Sequence, residues 1–166
     1  MAFPDFGYEH NIIPLKAPVD SAGTAFATTY VDLKNAQWVT FYDWCGVISA
    51  ASADQPVLVT IECSTAASSN ATEVAVAFKY RMSGLAAANT WGAVTAATST
   101  GASFGTTDDG KIMRIDIDPA ALEAALPDAR FVRLVQGIDA GGSVTLNAIW
   151  ADVTVRYPQA THISAT

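Results

Sequence analysis

An all-β, antiparallel two-sheet sandwich of jelly-roll type is the fold this sequence predicts, and three observations predict it. Roughly eight segments show strand patterns at spacings typical of two-sheet folds. The apolar content, 51% of residues against 15% charged, comes largely from Ala and Val with Thr and Ser interleaved, which suits pleated surfaces. Only one short helix can be read, near residues 118–126. An immunoglobulin-like sandwich is the second choice.

The 166 residues suffice for one domain with a real core. Residues 1–21 read as an extended N-terminal arm, because Pro4, Pro14 and Pro18 forbid a continuous helix. The arm is nevertheless apolar, so it is expected to pack either on its own domain or on a neighbouring subunit. Residues 22–157 form the sandwich and 158–166 a C-terminal tail.

Residues 24–33 alternate around Phe26, Tyr30 and Val31 and read as a first strand, ended by a turn at Lys34-Asn35-Ala36. Residues 37–49 hold Trp38, Phe41, Tyr42 and Trp44, with apolar groups on both faces, as in a strand covered on both sides. Val57, Val59, Ile61 and Cys63 share one face of the next strand. Residues 73–81 alternate most cleanly, with Val74, Val76, Phe78 and Tyr80 on one side. Residues 83–107 read as short strands and loops anchored by Trp91 and Phe104. Asp108-Asp109-Gly110 is a turn before a strand at 111–117. Asp118 can cap a helix whose first residue is Pro119, and Pro127 stops it. Residues 130–137 and 143–157 are strand patterns joined by a Gly-containing connection, the signature of a β-hairpin.

Little in the chain suggests catalysis. His10 and His162 are the only histidines and lie in the terminal segments, so no Ser-His or Cys-His arrangement can be assigned. Two cysteines and two terminal histidines do not make a zinc site. Asp108, Asp109, Asp116 and Asp118 lack the pattern of a calcium loop, and a turn plus a helix cap explains them. No glycine-rich phosphate loop is present. The expectation is therefore no catalytic residues, no metal and no cofactor. Cys45 and Cys63 lie inside strand patterns and read as free buried thiols.

A net charge of −7, with nine Lys and Arg scattered singly, argues against nucleic acid as a partner. Residues 1–16 lack the basic start and apolar run of a secretory signal. The apolar segments are strand-sized, so no membrane span is expected. Trp38, Trp44, Trp91 and Trp150 are either core and interface anchors or a sugar-stacking platform. The two-faced apolarity around Trp38 and Trp44 favours burial.

The runs Asn11-Ile12-Ile13-Pro14-Leu15-Lys16 and Thr29-Tyr30-Val31-Asp32-Leu33-Lys34-Asn35-Ala36 resemble small virion proteins of tailed bacteriophages. So do Phe78-Lys79-Tyr80-Arg81, Trp91-Gly92-Ala93 and the ending Arg156-Tyr157-Pro158-Gln159 with His162-Ile163-Ser164. The resemblance implies a capsid decoration (cement) protein on the virion surface, made in the host cytoplasm. It also implies the major capsid protein as partner and self-association as a homotrimer. On this reading Phe3, Phe6, Tyr8, Ile12 and Ile13 in the arm, and Tyr157 and His162 at the tail, contact the partner. A carbohydrate- or receptor-binding module using surface Trp residues is the alternative.

Overall fold

The computed structural model describes residues 10–22, 24–49, 57–68, 72–84, 90–138 and 143–156. In chain order these form β1 (His10–Ala22), β2 (Phe26–Ala27), β3 (Val31–Asp32), β4 (Ala36–Ser49), β5 (Val57–Ser64) and β6 (Glu73–Val76). There follow β7 (Phe78–Met82), β8 (Thr95–Ala97), β9 (Ala102–Phe104), β10 (Ile112–Ile117), the helix α1 (Pro119–Ala125), β11 (Phe131–Ile138) and β12 (Ser143–Val155).

The strands make two antiparallel sheets of six. Sheet A runs β1-β12-β4-β10-β7-β8, and sheet B runs β2-β11-β5-β6 with β3 beside β11 and β9 beside β5. The pairings nest: β1 with β12, β2 and β3 with β11, β4 with β10, β5 with β6 and β9. Nested pairing describes one long antiparallel ribbon, doubled back on itself. Wrapping that ribbon brings β12 against β4 and β11 against β5, and these two ladders close the sheets. This is the two-Greek-key plan of a jelly roll. The expected sandwich with one short helix is the observed fold.

The core lies between the sheets. Val57, Val59, Ile61 and Cys63 of β5 are all 0% exposed, as the alternation requires. They face Phe41, Met113, Ile115 and Ile149 among the most buried residues of sheet A. Each such side chain stabilises the fold by about 1.5–3 kcal/mol through removal from water. Helix α1 covers one end. Asp118 accepts the Ala120 amide at 2.9 Å, and Pro119 and Leu122 are its buried residues. At seven residues the helix depends on that packing.

Four local expectations are corrected. The segments expected as a hairpin at 130–137 and 143–157 supply strands, β11 (Phe131–Ile138) and β12 (Ser143–Val155), that do not pair with each other: β11 belongs to sheet B and β12 to sheet A. A Gly-rich reversal serves a sheet-to-sheet crossing as well as a hairpin, and residues 139–142 themselves lie outside the described residues. The single strand expected at 73–81 is two, divided at Ala77 between sheet B and sheet A. A chain that turns the corner of a sandwich keeps the same side inward, so its alternation is unbroken. The strand expected at 24–33 is reduced to β2 and β3, separated by buried Thr28 and Tyr30. Finally, Trp38 is 38% exposed rather than buried.

From His10 onward, the segment expected as an arm is the edge strand β1, packed on its own domain. Its ladder with β12 breaks register between Pro14 and Lys16 and twice more before Ser21. Proline cannot donate to a neighbour, so an edge with bulges is where a strand tolerates it. Residues 1–9 and 157–166 lie outside the described residues.

Candidate functional site

The outer faces of the two sheets differ in kind. Among the described residues, the large hydrophobic residues left exposed are Ile12, Val19, Trp38, Val47, Trp91, Val94 and Leu146. Five of these belong to the adjacent strands β1, β12 and β4, and Trp91 and Val94 lead into β8 at the other edge of sheet A. Sheet B leaves no large apolar residue exposed among the described residues and carries a connected ion-pair network. Arg133 bridges Glu62 at 2.7 Å and Glu73 at 2.6 Å, Tyr30 donates its hydroxyl to Glu73, and Arg130 pairs with Asp32. Burial, together with that bond to Glu73, raises the Tyr30 phenol to about 12.

Cross-strand register orders the face of sheet A into rows. One runs Pro14–Trp150–Tyr42–Arg114–Arg81, and the next Ile12–Asp152–Thr40–Asp116–Lys79. Tyr42 and Trp150 stack with centroids 5.3 Å apart and planes 12° from parallel. Asp152 lies 3.1 Å from Nδ1 of His10, and Asp116 accepts Thr40 Oγ1 at 3.0 Å and Arg114 Nε at 2.9 Å. At the β7–β8 edge a groove of about 630 Å³ opens against α1. Trp38, Phe78, Val94 and Leu122 form its apolar wall, and Lys79, Arg81, Asp116 and Asp118 supply its charged lining.

A second polar assembly is enclosed between the sheets. Asp43 on β4 is 0% exposed and accepts Gln136 Nε2 at 2.9 Å from sheet B and Asn147 Nδ2 at 3.2 Å from β12. Cys45 Sγ lies 3.8 Å from Asp43 and 3.3 Å from the Asn147 amide. Desolvation pushes the Asp43 carboxyl from an ordinary 3.8 up to about 7, against the pull of its two amide donors and of Lys16. The Cys45 thiol is driven upward for the same reason, and by Asp43 beside it. Lys16 is lowered by burial and lies 4.1 Å over the Phe26 ring.

Among the described residues, three buried side-chain atoms have no hydrogen-bond partner: Gln136 Oε1, Asn147 Oδ1 and Arg81 Nε. Two belong to the enclosed assembly and one to the groove. An orphaned buried group costs about 1–3 kcal/mol, so each of these places stands out from an otherwise satisfied fold.

Of the residues expected to contact a partner, Ile12 is 56% exposed on β1, whereas Ile13 is 6% exposed and belongs to the core. Phe3, Phe6, Tyr8, Tyr157 and His162 lie outside the described residues. Both cysteines are free and buried. The four aspartates of 108–118 each have a separate local task. Asp108 holds the Gly105 amide and Lys111, Asp109 accepts the Ile48 amide, Asp116 sits in its row and Asp118 caps α1. Among the described residues, no three His, Cys, Asp or Glu are grouped to hold a metal ion, and no helix is long and apolar enough to cross a membrane.

Sequence reasoning missed Asp43, Gln136 and Asn147. The signal was parity: each is polar at an inward position, as Asp43 is between Phe41 and Cys45. It missed Lys79, Arg81 and Arg114 because their meeting depends on β10 lying beside β7.

No protein-family model and no curated protein matches the chain. A solved structure of infectious bursal disease virus Gt strain is similar at 12% identity with a TM-score of 0.23. The alignment covers 91% of this chain and 42% of that one.

Proposed function

We propose that the chain is a structural virion protein that decorates and stabilises a phage capsid by binding major capsid protein subunits, without catalysis. The observation that supports this most is the asymmetry of the sandwich. Among the described residues, exposed large apolar side chains gather on sheet A and its β8 edge, while sheet B exposes none. An apolar face of that kind marks a protein-contact surface. The resemblance to tailed-phage virion proteins supplies the partner and the homotrimer.

The test is co-sedimentation with capsids assembled from the major capsid protein of the same genome, alongside light scattering of the free protein. The expected results are particle binding and a trimeric mass, with Val47→Glu plus Leu146→Glu releasing the protein from particles. Wild-type protein that stays in the supernatant would rule the function out.

The second reading, a carbohydrate- or receptor-binding module, draws on the exposure of Trp38 and Trp91 at 38% and 43%. Glycan-array binding lost in Trp38→Ala or Trp91→Ala would put it first.

A further inference from the structure

The groove at the β7–β8 edge holds one cation, Arg81, that the protein itself does not answer. Lys79 and Arg81 line it together with Asp116 and Asp118. Asp116 lies directly across the ladder from Lys79, whereas Arg81 has no carboxylate opposite it and forms no ion pair with another described residue. The Nε of Arg81 is buried and has no acceptor. Arg114 stands directly across the ladder from Arg81. Both residues alternate with inward neighbours, so both side chains lie on the outer face, and like charges directly opposed destabilise a sheet. Neither acid of the groove is bonded to Arg81. Asp116 is taken by Thr40 and Arg114, and Asp118 by the end of α1. In a chain of net charge −7, a guanidinium left without an acceptor is a local exception.

The other wall selects what kind of anion fits. Trp38 and Val94 are 38% and 51% exposed, and with Phe78 they make an apolar surface beside the cations. A volume of about 630 Å³ falls within the range of small-ligand sites. The planar guanidinium of Arg81 matches a carboxylate in two-point contact.

We propose that this groove binds a carboxylate presented on an apolar or aromatic body, such as a Glu or Asp beside a large apolar residue of a partner protein. The partner half of the statement rests on the proposed capsid-contact role, and the carboxylate half stands without it.

The experiment follows the Arg81 Nε–Hε resonance of isotope-labelled protein during titration with phenylacetate, acetate, inorganic phosphate and benzyl alcohol. Phenylacetate is expected to shift it saturably, about tenfold or more tighter than acetate, and to move the Trp38 indole as well. In Arg81→Gln the affinity should fall about tenfold or more. The backbone spectrum of that variant should stay wild-type, because the Arg81 side chain forms no hydrogen bond or ion pair with another described residue. No saturable shift, equal affinity for acetate, saturation by phosphate alone, or undiminished binding by Arg81→Gln would each overturn the proposal. These titrations need no capsid, so failure of particle binding and failure of the groove are read separately. If particles do bind, Arg81→Gln is expected to weaken that binding, and unchanged binding would refute the partner half.

Discussion

Asp43 on one sheet and Gln136 on the other join across the core, Nε2 donating to Oδ2 at 2.9 Å. The bond is enclosed on all sides and places a carboxylate where an aliphatic side chain would ordinarily sit. Ionising it costs desolvation, and holding it neutral costs one of its donors.

The first prediction concerns acid and base. Asp43 titrates near 7 in the fold and near 3.8 when free, so the native state holds a proton that the unfolded chain releases. Its stabilising contribution is fully present below about pH 4, declines from there to about pH 7 and is flat above, a swing on the order of 4 kcal/mol at most. Asp43→Asn should abolish most of that decline. At pH 8 the variant should be no less stable, because an amide at 43 can donate to the orphaned oxygen of Gln136 or Asn147. Urea titrations of both proteins from pH 4 to pH 8 give the comparison, and parallel curves would contradict the assignment.

Gly101 should not tolerate a side chain. Its φ is +98°, and a Cβ there would lie 2.4 Å from the Val59 carbonyl oxygen. Gly101→Ala is expected to cost about 2 kcal/mol or more, through left-handed strain and displacement of β5. Chemical denaturation measures it, and a loss under about 0.5 kcal/mol would show that the turn relaxes.

The two thiols should be chemically silent in the native protein. Cys45 and Cys63 are both 0% exposed, and burial raises both. Ellman's reagent without denaturant should find neither, and in guanidinium it should find both. Rapid labelling of the native state would mean that the sheets part readily.

On sheet B, Arg133 is the hub for Glu62, Glu73 and the ring of Tyr30, which its guanidinium overlies at 4.9 Å. Arg133→Met leaves two carboxylates half-buried and facing each other. A loss of about 1–2 kcal/mol, shrinking in high salt, is expected from thermal unfolding at two ionic strengths.

Which of these features could be read in advance follows from the range of the forces involved. The helix at 119–125 was legible because its cap, its proline start and its proline stop are all local. The alternation of β5 was legible for the same reason. The corner at Ala77 was invisible, since one core lies behind both sheets and the period of two runs straight through it. The β11–β12 reversal was misread as a hairpin because turn residues report a change of direction and not a choice of sheet. Arg81 and Arg114 meet only through the register of β7 on β10, which no local pattern records. Asp43, by contrast, could have been found as a charged residue at an inward position.

The nested ribbon has a kinetic consequence. Its outermost rung sets His10 beside Thr154, so the last ladder to form must close a loop of nearly the whole described chain. The entropy of that closure is met only after the inner rungs exist. Folding should therefore proceed from the β7–β8 tip outward, on the slow millisecond-to-second scale of sandwiches rather than that of helical domains. During synthesis β1 emerges first and pairs last. Its prolines and bulges keep an early, unpaired, partly apolar strand from recruiting the wrong neighbour while it waits.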